Sequence, residues 1–320
     1  YGLLYKNRFG VLQKAVERLQ NSHTQELQAF CEKNAVWLDD YALFMALKDD
    51  FSGAPWSQWP SALKKREPNA LEEARTRLSR AVQGVQYLFF RQWKSLKAYA
   101  NENGIQMIGD LPIYTAADSA DIWAAPEEFQ LDKDLNPTEV AGCPPDGFSA
   151  DGQLWGNPLF HWERMKQDGF SWWIRRIAYQ FELYDVLRID HFRGFDAYYA
   201  IPAGAKNAQN GRWRPGPGID FFRTLEKALG KRNIIAEDLG FLTDSVHQLL
   251  KDTGYPGMKV LEFAFDSRDG GGSNYLPHHY PENCIAYIGT HDNETALGWL
   301  EYAPPEDAAL AREYLHLDPV

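Results

Sequence analysis

Four carboxylates in this sequence stand where short apolar runs end. Asp110 closes the run over 105–111, Asp190 the run over 186–190, Glu237 the run over 234–238, and Asp292 follows the run over 285–289 by three residues. If those runs are parallel strands, their carboxyl ends gather at one face, where α/β enzymes keep their chemistry. Four distant acids then become one cluster. Side chains alternate along a strand, so Arg188 and Asp190 share one face while Leu187 and Ile189 share the other. A guanidinium so placed favours the ionised form of Asp190. Two carboxyl groups facing one bond, with aromatic rings around them, are what glycosidic chemistry requires. One attacks the anomeric carbon or steadies its positive charge, and the other protonates the leaving oxygen. Trp155 and Tyr114, near the strand ends, are candidate platforms for the apolar faces of sugar rings.

Each of these residues also has a plainer reading. A strand-end acid can cap the helix that follows it, and Asp238 suits that role better than Glu237. Trp155 and Tyr114 can belong to a core. His291, Asp292, Asn293 and Glu294 are a run of metal-ligand types, but the run is too local to enclose an ion. No spaced pair of the H-E-x-x-H kind accompanies it, so no metal is expected. The chain has neither G-x-G-x-x-G nor a P-loop, and no cofactor is expected.

The elements that must position these residues fall into two textures. The first hundred residues read as helical. Ala74, Leu78, Val82, Val85, Phe89, Trp93 and Leu96 recur every three or four residues and mark one face of a long amphipathic helix. Asn69 with Glu72 resembles a capping box at its start, and Gly104 suits its end. An earlier helix carries Trp37, Leu38, Tyr41 and Met45, and a loop between the two holds Trp56 and Trp59, which fit a core better than a sugar platform. From Gly104 onward, apolar runs over 105–111, 186–190, 234–238, 258–263 and 285–289 alternate with helical stretches, the pattern of parallel strands with covering helices. The helix after the third run has Thr243 as N-cap and Gly254 past its end. Two stretches, 137–158 and 207–218, read as irregular and exposed; loops of that length are usually lids or binding loops.

Composition narrows the partners. With 33 Lys plus Arg against 44 Asp plus Glu, the net charge of −11 argues against nucleic acid and against an anionic membrane surface. The aromatic fraction of 14% exceeds what a core alone requires and fits a sugar-stacking lining. Cys31, Cys143 and Cys284 are odd in number and widely spaced, so neither a disulfide framework nor a zinc site is expected, and a reducing compartment follows. The cytoplasm is the expected location, with a plastid stroma as the alternative. No apolar run approaches the roughly 18 residues of a membrane span.

Gly109-Asp110-Leu111-Pro112-Ile113-Tyr114, the eight residues from Arg188 to Phe195, Ala236-Glu237-Asp238-Leu239-Gly240 and Gly289-Thr290-His291-Asp292-Asn293 together resemble the amylomaltase family. These are the 4-α-glucanotransferases, or disproportionating enzymes, of the α-amylase clan. The short Arg-x-Asp, Glu and His-Asp elements belong to the whole clan. The long form from Arg188, together with Pro144-Pro145-Asp146-Gly147-Phe148 and Gln153-Leu154-Trp155-Gly156-Asn157-Pro158, is specific to amylomaltases. The resemblance implies that Asp190 is the nucleophile, Glu237 the general acid and then base, and Asp292 a ligand of the ring hydroxyls. It implies that Arg188 and His291 support this centre and that Asp110 contacts the donor sugar. Asp146 and Trp155, with Asn157 in the same segment, would lie in a lid over the acceptor side. The implied partners are α-1,4-glucans, maltooligosaccharides and glucose.

The family fold is α/β, a (β/α)8 barrel with inserted helical subdomains. Here five strand-like runs are visible rather than eight, so the expected organisation is a helical insertion over 1–103 followed by part of the barrel, about strands 3 to 7, over 104–320, with a lid loop around 137–158. Two other functions remain open at this point: an α-amylase-like hydrolase sharing the three carboxylates, and a catalytically silent glucan-binding fragment.

Overall fold

A computed structural model describes residues 2–77, 81–146, 149–240, 242–267 and 272–317. They fall into two compact units. The first takes the chain to Met107 together with Thr115–Thr138 and Asn157–His161; the second takes Ile108–Tyr114, Glu139–Gly156 and the chain from Trp162.

The first unit is helical. Its helices are α1 (Gly2–Ser22), α2 (Thr24–Asp50), α3 (Ser61–Lys64), α4 (Pro68–Arg77), α5 (Ala81–Glu102) and α6 (Ala120–Ala124). Phe30 of α2 meets Tyr87 and Phe90 of α5 at ring-centre distances of 5.6 and 5.7 Å. Gly84 lets α5 approach α1, because a Cβ there would overlap the Val16 side chain. Trp56 and Trp59 are core residues, at 3% and 4% exposure. Trp59 packs on Phe44, Phe51 and Trp123, and the Trp56 indole N–H donates to the Ala117 carbonyl at 2.8 Å, which satisfies the one polar atom that burial would otherwise strand.

The reading of 74–96 needs correction. Two helices are described there, and Leu78 lies outside the described residues. Helix α4 begins at Pro68, one residue before Asn69, because proline is pre-set for the first helical position and has no N–H to lose. Phe89 and Leu96, placed on the inward stripe by spacing, are 51% and 52% exposed, and Val82, Gly84, Tyr87, Phe90 and Ala100 form the buried face instead.

Among the described residues there are nine strands, all in the second unit except the last two residues of β3: β1 (Ile108–Pro112), β2 (Glu139–Cys143), β3 (Gln153–Pro158), β4 (Val186–Asp190), β5 (Ala197–Pro202), β6 (Arg212–Pro215), β7 (Ile234–Ala236), β8 (Gly257–Val260) and β9 (Cys284–Tyr287). Its helices are α7 (Trp162–Gln167), α8 (Ser171–Leu183), α9 (Gly218–Leu229), α10 (Asp244–Thr253), α11 (Ala296–Tyr302) and α12 (Pro305–Tyr314). Strands β1, β4 and β7 form a parallel sheet in that order, and β8 pairs in parallel with β9. All five parallel strands coincide with the five apolar runs, which is the α/β arrangement expected. Leu187 and Ile189 are fully buried while Arg188 and Asp190 are only partly so, as alternation requires. Helix α10 has Thr243 at its N-cap position and ends on Gly254, whose φ of 67° is the left-handed turn that glycine accepts without cost.

Neither 137–158 nor 207–218 is simply irregular. They contribute β2, β3 and β6 to a four-stranded antiparallel sheet of order β3-β2-β5-β6. Glycine and proline disguise these strands in the sequence. Gly142 is required because a Cβ would overlap the Gln153 carbonyl, and the sheet is tied by Glu139, which accepts from both Arg212 (3.0 Å) and Arg214 (2.7 Å).

Much of the aromatic surplus is core. Trp162, Trp173, Phe192, Phe195, Phe221 and Phe222 form one ring cluster, with Phe195 stacked on Phe221 at 4.9 Å. This cluster bolts α7, α8 and α9 under the turn that follows β4. Among the described residues no helix is long and apolar enough to cross a membrane.

Candidate active site

Parallel pairing sets the first distances. Asp110 pairs with Arg188 across β1 and β4, and Pro112 pairs with Asp190. The Glu237 N–H donates to the Ile189 carbonyl at 2.9 Å, so Glu237 sits one residue past β7, directly beside the end of β4. Arg188 joins two of the acids: Nη1 lies 2.7 Å from each Asp110 carboxylate oxygen, Nη2 lies 3.1 Å from Asp190 Oδ1, and Nε reaches the Met258 sulfur at 3.3 Å. Burial works against the charge of Arg188, but Asp110, Asp190 and Glu237 more than offset it and its pKa rises.

Arg188 favours the ionised form of Asp190, as expected, but it does not decide the balance. Burial raises the Asp190 pKa, Arg188 opposes that, and the charges of Asp110 and Asp292 add to the rise, so the balance is upward. The guanidinium is shared between two carboxylates and cannot fully neutralise either.

Glu237 is 9% exposed. Each of its oxygens accepts one backbone N–H: Oε1 from Leu239 at 2.7 Å, Oε2 from His191 at 2.8 Å. Burial pushes its pKa up to about 7 against those two hydrogen bonds, which favour the anion. Burial raises both Asp190 and Glu237, but only Asp190 is in direct contact with a guanidinium, and such a difference in surroundings is what separates acid from base roles. His191 has a left-handed backbone at φ 56°, and burial pushes its pKa down to about 3, which keeps its ring neutral. Its ring stands edge-to-face on Trp155 at 4.8 Å, and Tyr114 lies 6.5 Å away.

Asp292 and His291 lie on an exposed loop pinned by Asn293, whose Oδ1 accepts from both the N–H and the hydroxyl of Thr290 at 2.9 Å. The His291 and Asp292 side chains are 3.5 Å apart, and both act electrostatically on Asp190. A pocket of about 310 Å³ is lined by Asp110, Arg188, Met258, Tyr287, Thr290 and His291; its lining takes in neither Asp190, Glu237 nor Asp292. Among the described residues no group of three or more His, Cys, Asp or Glu is placed to hold a metal ion.

The remaining candidates are spread more widely. Trp155 is 37% exposed and Tyr114 is buried at 9%, with ring centres 6.1 Å apart. Asp146 is exposed and accepts the Ser149 N–H at 2.8 Å; Gly147 and Phe148 lie outside the described residues. Asn157 belongs to the first unit, where its side-chain amide donates to the Thr115 carbonyl at 2.8 Å. Asp238 does not cap α10. Its Oδ1 accepts the Met258 N–H at 2.6 Å and ties β8 to β7. A further carboxylate, Glu262, is 5% exposed two residues past β8, and burial with the nearby Glu294 raises its pKa. Its signal was present in the sequence, since Glu262 sits near the end of the run over 258–263.

Comparison with known proteins gives matches over nearly the whole chain. The family model described as 4-alpha-glucanotransferase matches residues 1–319. The 4-alpha-glucanotransferase of Clostridium butyricum is 46% identical over 99% of the chain, and that of Thermus thermophilus 48% over 98%. The solved structure of the amylomaltase from Streptococcus agalactiae in complex with acarbose superposes with a TM-score of 0.95 at 44% identity over 100% of the chain. The chain spans just under two thirds of these relatives, covering 66%, 64% and 65% of their lengths.

Proposed function

The chain belongs to the 4-alpha-glucanotransferase family, and on that premise we propose that the full-length protein moves α-1,4-glucan segments from a donor maltodextrin to glucose or another glucan by a retaining double displacement. The observation that carries this reading is the pairing of Asp190 and Glu237 at adjacent strand ends, with Glu237 pushed up to about 7 while Asp190 keeps a guanidinium contact.

Asp190 attacks the anomeric carbon as a carboxylate while Glu237, protonated, gives its proton to the departing glycosidic oxygen. The C–O bond of the donor breaks, and a glucosyl ester on Asp190 forms. The hydroxyl of the acceptor then attacks the same carbon, Glu237 takes its proton, and the ester bond breaks with Asp190 regenerated. Asp292 binds ring hydroxyls of the distorted sugar, and Asp110 meets the donor sugar. Arg188 and His291 support this centre. Trp155 and Tyr114 supply ring surface beside His191, and Asp146 and Asn157 belong to the segment over the acceptor. Transfer wins over hydrolysis when water is kept from the ester until a sugar arrives.

We read the five parallel strands as about the third to seventh of a (β/α)8 barrel, with the 1–103 segment as an inserted helical subdomain. No partner beyond α-1,4-glucans, maltooligosaccharides and glucose is proposed. The three cysteines are free, which supports the cytoplasm as the location.

The test is incubation of the full-length protein with maltotriose. Longer maltodextrins together with glucose are expected. Shortened products alone would indicate a hydrolase, and retention of maltodextrin without turnover, unchanged by Asp190→Ala, would indicate a silent binding protein.

A further inference from the structure

His191 follows Asp190 directly and is among the few non-glycine residues here with a positive φ, at 56° with ψ 50°. Such a backbone costs roughly 1–2 kcal/mol for an L-residue and persists only where its surroundings hold it. Three hydrogen bonds do so. The His191 N–H donates to Glu237 Oε2 at 2.8 Å, the Phe192 N–H donates to the Glu237 carbonyl at 3.0 Å, and the Gly194 N–H donates to the His191 carbonyl at 2.9 Å. On the other side of the residue, the ring lies edge-to-face on Trp155 at 4.8 Å. Its Nε2 is buried and has no hydrogen-bond partner among the described residues. The polar contact to Glu237 is thus made by the backbone of His191, while its ring packs on Trp155.

Resting on the reading of Glu237 as general acid, we propose that His191 is a positioning residue: its left-handed backbone aims an N–H at Glu237, and the Trp155 indole against its ring ties that aim to the placement of β3. A right-handed backbone at 191 turns the peptide plane and removes the donor from Oε2. Glu237 then keeps only the Leu239 N–H. Its anion loses a stabilising partner, so its pKa rises further, and the carboxyl gains freedom to rotate away from the scissile bond.

The experiment is a series at position 191 in the full-length protein: Asn, Gly, Ala and Val, chosen because tolerance of the left-handed region falls from the first pair to Ala and then to Val. The readout is the pH dependence of kcat and KM for maltotriose disproportionation. His191→Asn and His191→Gly are expected to keep the basic limb in place. His191→Ala is expected to move it to higher pH, and His191→Val to move it by about one pH unit with kcat down about tenfold and KM within about twofold. A limb that does not follow this order, or an Asn variant as impaired as the Val variant, overturns the proposal. If His191→Val fails to fold by thermal melting, the Asn and Ala variants decide by the same criterion. Trp155→Ala is expected to move the limb in the same direction and Trp155→Phe to restore it; an unmoved limb in Trp155→Ala overturns the link through the ring. Glu237→Gln is measured alongside. Its inactivity with a flat series at 191 removes this proposal alone, whereas full activity in Glu237→Gln removes both this proposal and the functional reading beneath it.

Discussion

Arg188 grips Asp110 through one nitrogen, Nη1, placed 2.7 Å from each carboxylate oxygen. The other terminal nitrogen is thereby left to reach Asp190 at 3.1 Å. One guanidinium thus spans two strand ends, and no ammonium can copy that fork.

Arg188→Lys is accordingly expected to lower kcat/KM by roughly a hundredfold, about the cost of one lost electrostatic contact at a reacting centre. The direction of the pH effect follows from chemistry. Asp190 must be ionised to attack, Arg188 is what opposes its upward drift, and weakening that contact raises the pKa again. The acid limb of the pH profile should move to higher pH. A limb that stays in place contradicts the role given to Arg188.

Glu237 makes stability depend on pH. Its folded pKa of about 7 lies above the ordinary 4.5, so the folded state binds more protons than the unfolded one between those values. Stability contributed by the protonated carboxyl is present below pH 4.5 and declines as pH rises toward 7. The rise from 4.5 to about 7, at about 1.4 kcal/mol per pH unit, corresponds to roughly 3 kcal/mol. Glu237→Gln removes this penalty, and its melting temperature relative to the parent should be higher at pH 8 than at pH 5. Equal differences at both pH values would contradict the burial argument.

The aromatic cluster under β4 should carry a large share of the second unit's stability. Trp173 and Phe195 are fully buried and in ring contact at 5.3 Å. Trp173→Ala and Phe195→Ala are each expected to cost about 3–5 kcal/mol in chemical denaturation. The double variant should cost less than the sum, since the two share neighbours.

Gly109 stands beside Asp110, and a Cβ there would overlap the Tyr184 ring. Gly109→Ala is expected to destabilise by about 1–3 kcal/mol and to lower activity by displacing Asp110 along with β1. Adding Tyr184→Leu makes room, so the double variant should recover part of both losses. A Gly109→Ala protein of unchanged stability and activity would show that β1 is not packed as described.

How much of this was legible in the sequence varied with the kind of signal. The five parallel strands could be read because each is a short, largely apolar run bounded by helical stretches, and the acids near the ends of those runs marked the candidate site. The antiparallel sheet could not, because β2 is built around Gly142 and β6 is flanked by Gly211 and Gly216, so neither shows clean alternation. The outward turn of Phe89 and Leu96 was hidden because spacing gives the period of a helix and not which of two apolar stripes meets a neighbour. The upward balance at Asp190 was hidden because burial, its largest cause, is set by the fold, and the Asp110 that adds to it lies far away in sequence. The left-handed backbone of His191 was hidden because no residue pattern reports a positive φ at a histidine.

The central claim is that Asp190 forms a glucosyl ester. A direct measurement is to give Glu237→Gln, in the full-length protein, an α-maltosyl fluoride, whose leaving group needs no acid, and to analyse the digested protein by mass spectrometry. The expected result is a maltosyl mass on the peptide that contains Asp190, absent from the Asp190→Ala, Glu237→Gln double variant. Fluoride release with no adduct on that peptide, or an adduct on another residue that persists in the double variant, would contradict it.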